Sequence, residues 1–180
     1  MSGRPASPLT LLARAASLND LTPALRMLLI TDGTVTQLLE ALFLEPVAVT
    51  QGHQRMAPLG ADADLLGCEA QVIALDRKVN LEGVNTGRVL VTAQSRILLE
   101  TLPAGVARAL ERGEVGIGEL LRDRQLESFR EIINYGLEPH CVWRRYRICT
   151  GGRPAIVICE RFQREHFETP NAINSRLSEC

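Results

Sequence analysis

The chain has 180 residues, 46% of them hydrophobic and 23% charged, a composition that fits one globular domain and excludes a disordered or fibrous chain. Twenty basic residues face twenty-one acidic ones, and a net charge of −1 excludes a whole-protein basic field for nucleic acid. Lys78 is the sole lysine and the other nineteen basic residues are arginines, an excess that reflects either codon usage or a few planar forks recognising carboxylate or phosphate; composition does not choose between these.

Residues 1–20 are rich in Pro, Ser and Ala and read as a loosely ordered N-terminus with no signal-type apolar segment. Leu21 to Ile30 reads as a helix with Pro23 near its first turn. Asp32-Gly33 signals a turn, and Thr34 followed by Gln37 has the spacing of a capping box opening a second helix to Phe43, which buries Val35, Leu38, Leu39 and Leu42. Pro46 to Gln51 reads as a strand, Cys68 to Leu81 is β-rich, and the turn Asn85-Thr86-Gly87 leads to an antiparallel strand over Arg88 to Ile97. Pro103 opens a helix that runs to Arg112 and stops at Gly113, and Ile117 to Leu121 starts a short helical segment. Leu126 to Tyr135 is ambiguous by periodicity.

Gly151-Gly152 between two β-rich runs specifies a tight hairpin, because the favoured turn needs φ > 0 at both central positions. With those glycines as the loop, Thr150 faces Arg153, Arg147 faces Ile156, Arg145 faces Ile158 and Trp143 faces Glu160. Tyr146 and Ile148 fall on the other face, against Ala155 and Val157. The pattern reads as one α+β domain of N-terminal helices, several antiparallel strands, intervening helices and a closing hairpin, with 166–180 a polar tail. No GxGxxG or GxxxxGK[ST] motif occurs.

Two residues stand out chemically. Glu160 ends the apolar strand Ala155 to Cys159 and is either a solvated rim residue or an inward carboxylate; its predicted face, shared with Ile156, Ile158, Arg145 and Arg147, favours the inward position. Arg77 alternates with Ile73, Leu75 and Val79 and is either an edge arginine reaching solvent or an inward one that needs an anion. The other candidates are weak. His53, His140 and His166 lack metal-ligand spacing, so no metal is expected, and no GxSxG elbow is present. Five irregularly spaced cysteines without a CxxC read as reduced thiols of a cytoplasmic protein, and no segment is long and apolar enough to span a membrane.

Leu28–Glu40 (LLITDGTVTQLLE), Leu75–Leu81 (LDRKVNL), Arg88–Leu102 ending in SRILLETL, Gly116–Leu121 (GIGELL) and Arg144–Phe162 (RRYRICTGGRPAIVICERF) together resemble the chorismate lyase (chorismate–pyruvate lyase) family, in particular its mycobacterial and cyanobacterial-type, 4-hydroxybenzoate-forming members. The resemblance covers about residues 21–165. It implies a single antiparallel sheet with helices packed on it and an internal ligand cavity closed by flaps. It also implies a lyase that splits chorismate into 4-hydroxybenzoate and pyruvate without metal or organic cofactor, feeding quinone or phenolic-lipid synthesis. The family's carboxylate-binding arginine falls on Arg77 and its essential glutamate on Glu160; its two backbone contacts fall on Val35 and Ile117, where enterobacterial-type members have methionine and leucine. Thr36 and Gly118, beside those contacts, and Arg145 and Arg147, on the predicted face of Glu160, are secondary candidates. The alternatives are a non-catalytic aromatic-acid-binding module, since a related fold serves as the effector domain of some transcription regulators, and another chorismate-consuming enzyme. No helix-turn-helix domain is expected in the first 20 residues, and neither a nucleic-acid nor a membrane partner is expected.

Overall fold

Thr22 and Pro23 begin the first helix. The Thr22 hydroxyl accepts a hydrogen bond from the Leu25 amide at 3.4 Å, and proline at the first helical position removes an amide that would have had no partner. The computed structural model describes residues 20–113 and 116–168; the expected loose N-terminus lies almost wholly outside them. In chain order come α1 (Pro23–Ile30), α2 (Val35–Phe43), β1 (Val47–Pro58), α3 (Ala63–Leu66), β2 (Ile73–Gly83), β3 (Val89–Ile97), α4 (Ala104–Arg112), α5 (Ile117–Asp123), β4 (Ser128–Leu137), β5 (Cys141–Thr150), β6 (Arg153–Gln163) and α6 (Glu165–Glu168). The six strands form one antiparallel sheet in the order β1-β2-β3-β6-β5-β4. The expected α+β class and single antiparallel sheet are therefore found.

Several local expectations need correction. Thr34 does precede α2, but its side chain makes no capping hydrogen bond, so the capping box with Gln37 does not form. Of the expected α2 core, Val35 and Leu39 are buried and Leu38 is exposed, because only one stripe of a nine-residue helix meets the sheet. The ambiguous segment from Leu126 is strand β4, on the sheet's edge. The polar tail begins later than residue 166: Phe167 is buried, and its ring meets those of Phe43 and Phe162 edge-on at centroid distances of 5.4 and 6.2 Å. Residues 169–180 lie outside the described residues.

The largest correction concerns the hairpin. Gly151 and Gly152 have φ of 56° and 77° and Thr150 does pair with Arg153, as the two-glycine loop requires. Between Ile148 and Cys149 the register then shifts, so that Cys149 pairs with Pro154 but Ile148 pairs with Ile156 and Ala155 is the extra residue. Pro154 has no amide to give to the ladder, and the Ala155 carbonyl is taken by the Leu98 amide at 2.9 Å, which is how a bulge is accommodated here. A shift of one residue moves every later side chain to the opposite face. Arg144, Tyr146 and Ile148 therefore share a face with Ile156, Ile158 and Glu160, whereas Arg145 and Arg147 face the other way.

On one face, α1 and α2 pack with Leu81, Val91, Val142 and Phe162 over one end of the strands, while α4 and α5 pack with Leu75, Ile97, Ile148 and Ile156 over the other. The opposite face carries a smaller cluster in which α3 meets Ala74, Leu98 and Val157. Ile156 is fully buried at the centre of the sheet. Ile156→Ala should therefore lower unfolding free energy by about 2–5 kcal/mol, measured by urea denaturation followed by circular dichroism.

Candidate active site

The strand register lays side chains in rows across the sheet. One row runs Val79, Ala93, Glu160, Arg144, Tyr135; the next runs Arg77, Ser95, Ile158, Tyr146, Ile132. Ala93 and Ser95 are the smallest members of these rows and stand on a central strand, so the floor is hollow between Arg77 and Glu160. The two helical clusters flank these rows on either side and leave the middle uncovered by packing. A cavity of about 320 Å³ fills that gap. Its walls include Val35 and Thr36 at the start of α2, Ile117 and Gly118 at the start of α5, Arg77 and Glu160 on the floor, and Arg130 on the edge strand β4.

Arg77 is only 2% exposed. Its Nη2 donates to the Gly113 carbonyl at 3.2 Å, and its Nε is buried without a partner. Burial pushes its pKa below the usual arginine value, because the charged form has lost water. Ser95, its neighbour across β3, donates its hydroxyl to the Arg77 carbonyl at 3.3 Å and so steadies the backbone beneath it.

Glu160, 6% exposed, is held by two donors. Arg144 Nε donates to its Oε2 at 2.7 Å and the Tyr146 hydroxyl donates to its Oε1 at 2.9 Å. Arg144, 1% exposed, spends Nη1 on the Thr31 carbonyl at 2.6 Å and lies 4.9 Å from the centre of the Tyr146 ring. Burial alone would lower the Arg144 pKa; the Glu160 charge and hydrogen bond, together with Tyr146 and Tyr135, outweigh it and hold the value raised. Burial, then the Glu160 charge, pushes the Tyr146 phenol far above its ordinary value, so it stays a proton donor to the carboxylate.

The register accounts for what sequence reasoning placed wrongly and what it missed. Arg145 ion-pairs with Asp62, and Arg147 with Glu131 at 2.8 Å and the Leu65 carbonyl at 3.0 Å, all on the far side of the sheet. Neither lines the cavity. Glu160 is instead partnered by Arg144 and by Tyr146, which alternation counted from the turn puts on the other face. The sequence signal that marks them is Pro154 beside an otherwise regular hairpin. Val35, Thr36, Ile117 and Gly118 all line the cavity, and so does Arg130, which sequence reasoning did not single out. Lys78 is exposed on the face opposite Arg77, as expected from alternation. Beside it in sequence, Asp76 is buried on that far face, where Arg96 Nη1 lies at 2.6 Å and His53 Nε2 at 3.6 Å. Burial alone would raise the Asp76 pKa, but hydrogen bonds from Gln94 and Arg96 hold it low.

Among the described residues no group of His, Cys, Asp and Glu is arranged to hold a metal ion, and no helix is long and apolar enough to cross a membrane. Cys68, Cys141, Cys149 and Cys159 are free thiols.

Comparison with known proteins bears on the site. The family model described as Chorismate pyruvate-lyase Rv2949c-like matches residues 29–169. A protein named chorismate pyruvate-lyase from Mycobacterium leprae (strain TN) is 29% identical over 159 residues, covering 80% of this chain and 76% of that one. Its namesake from Mycobacterium tuberculosis (strain ATCC 25618 / H37Rv) is 29% identical over 161 residues, covering 79% and 81%. Among solved structures, PhnF from Mycobacterium smegmatis is similar with a TM-score of 0.58 at 10% identity, covering 76% of this chain and 66% of that one, so the chain spans just under two thirds of PhnF. The C-terminal domain of the histidine utilization repressor from Pseudomonas syringae pv. tomato str. DC3000 is similar with a TM-score of 0.53 at 8% identity, covering 69% and 96%. At these identities the structures share the fold, which matches the expected relation to regulator effector domains.

Removing the Glu160 side chain leaves the Arg144 charge buried and unpaired. Glu160→Ala should therefore cost about 3–5 kcal/mol of stability, and Glu160→Gln, which keeps the volume and an acceptor, clearly less; chemical denaturation of both variants checks this.

Proposed function

Because the chain belongs to the Rv2949c-like chorismate pyruvate-lyase family, and is thereby a lyase, we propose that it eliminates pyruvate from chorismate to give 4-hydroxybenzoate, in the cavity under α2 and α5 and with no cofactor. The observation that carries this reading is that one small cavity holds a buried guanidinium with no carboxylate partner among the described residues, Arg77, and a buried carboxylate already gripped by two donors, Glu160. A compact ring with a carboxylate at one end and a hydroxyl at the other complements that pair.

In this reading Arg77 takes the ring carboxylate through charge-assisted hydrogen bonds in a site from which water is displaced. The first amides of α2 and α5 have no intrahelical acceptor, and those at Val35 and Ile117 complete the carboxylate's hydrogen bonds; Thr36 and Gly118 shape the wall behind them. Glu160 accepts from the ring hydroxyl, and Arg144 and Tyr146 hold the carboxylate in place for it.

The chemical step breaks the bond between C3 and the ether oxygen and the C4–H bond. The C4–H electron pair becomes a ring double bond. The proton ends on the methylene carbon of the enolpyruvyl group, which departs as pyruvate with a new carbonyl. Aromatisation makes the reaction strongly downhill, so alignment of the ether and the C4–H bond is the chief contribution asked of the protein. No covalent intermediate or electron acceptor is required by this balance.

The test is incubation of purified protein with chorismate, with 4-hydroxybenzoate measured by chromatography and pyruvate by a coupled assay. Equal amounts of the two products are expected. Arg77→Ala and Glu160→Gln should each lower kcat/KM by about 100-fold or more, the usual cost of removing a group that stabilises developing or bound charge. Tyr146→Phe, which leaves Arg144 on Glu160, should lower it by about 10-fold. A folded protein that binds aromatic acids but releases no pyruvate would instead be a binding module.

A further inference from the structure

Arg130 enters the same cavity from the far edge of the same sheet face. It stands on edge strand β4, paired with Ile148, while Arg77 stands on β2, four strands away in the sheet order. Both reach the segment that covers the cavity. Arg77 donates to the Gly113 carbonyl, and Arg130 Nη2 lies 3.5 Å from where a Cβ on Gly118 would stand. Arg130 Nη1 donates to the Asp32 carbonyl at 2.6 Å, and its Nε is buried without a partner, like that of Arg77.

These two arginines differ from the others packed against the sheet. Arg144 is answered by Glu160, Arg96 by Asp76 and Arg147 by Glu131. Among the described residues, no carboxylate lies within ion-pair distance of Arg77 or Arg130. Among the described residues the cavity thus presents two guanidinium groups that no carboxylate pairs with; of the carboxylates on its lining, Glu160 is matched by Arg144, and Glu40 and Glu119 form an ion pair with neither Arg77 nor Arg130. That arrangement complements a small dianion.

We infer that Arg130 binds the second carboxylate of the substrate, the one on the enolpyruvyl group, while Arg77 binds the ring carboxylate. The inference rests on the reading of chorismate as substrate. It makes Arg130 a specificity residue that separates substrate from product: chorismate carries two carboxylates, 4-hydroxybenzoate one, and after cleavage the partner of Arg130 leaves with pyruvate. The Asp32 contact alone would instead make Arg130 a structural tie between β4 and the loop before α2.

The two roles are separated by ligand. For wild type and Arg130→Gln, KM for chorismate is read from pyruvate release and Kd for 4-hydroxybenzoate from titration calorimetry. The variant should raise KM by about 10- to 100-fold and change the 4-hydroxybenzoate Kd by less than about 3-fold. Equal weakening toward both ligands, or an unchanged KM, overturns the assignment. Arg130→Lys, which keeps the charge without the planar fork, is measured in the same way if the glutamine variant does not fold, and should show a smaller rise confined to chorismate. If wild type releases no pyruvate, chorismate is titrated as a ligand. Tight binding weakened only in the variant supports the assignment while the lyase reading falls; no binding to folded wild type overturns both.

Discussion

The buried pair of Arg144 and Glu160 is the contact around which this molecule is arranged. A guanidinium 1% exposed and a carboxylate 6% exposed persist in an apolar sheet only if each supplies what the other lost from water. They sit directly opposite each other on β5 and β6, and Tyr146 and the Thr31 carbonyl take up further valences. The pairing ties the hairpin to the loop between α1 and α2. It also orients the carboxylate toward the cavity. The bulge at Ala155 is its precondition, since without that extra residue Trp143 would stand where Arg144 does.

The arginine-rich composition resolves into distinct populations. On the far face, Arg96 and Arg145 share Asp62, Arg96 also neutralises Asp76, and Arg147 meets Glu131. These pairs sit on the sheet and reach no ligand space on the cavity side. On the near face, Arg144 is neutralised by Glu160, while no carboxylate of the described residues pairs with Arg77 or Arg130. A net charge near zero therefore conceals two arginines at one cavity that no carboxylate of the described residues pairs with. Enclosure matters, because a charge–charge interaction is far stronger where water is excluded than on an open surface.

The cavity follows from packing rather than from any single residue. Two helical clusters cover the two ends of the same sheet face, and the central strand carries Ala93 and Ser95 between them. Small residues there leave a volume that larger ones would have filled. A similar sheet is found in PhnF and in the histidine utilization repressor domain, which share about a tenth of the sequence; that likeness is one of fold, and function rests on the charged and phenolic groups of this chain's own cavity floor.

Alternation and turn chemistry, read from the sequence, determined most of the elements, the antiparallel class of the sheet and the inward faces of Arg77 and Glu160. These signals are local: a period of two, a proline at a helix start, a pair of glycines with positive φ. The family pattern placed Val35 and Ile117 beside the cavity, where both stand. Only the tertiary structure decided which side chains meet Glu160. A one-residue bulge is invisible to alternation counted from the turn, yet it reverses every face beyond it. Arg130 was illegible for a related reason. Its strand gave no clear period, being an edge strand interrupted by its own register shift between Ile132 and Asn134, and its proximity to Arg77 arises from residues 53 positions apart reaching the same covering segment.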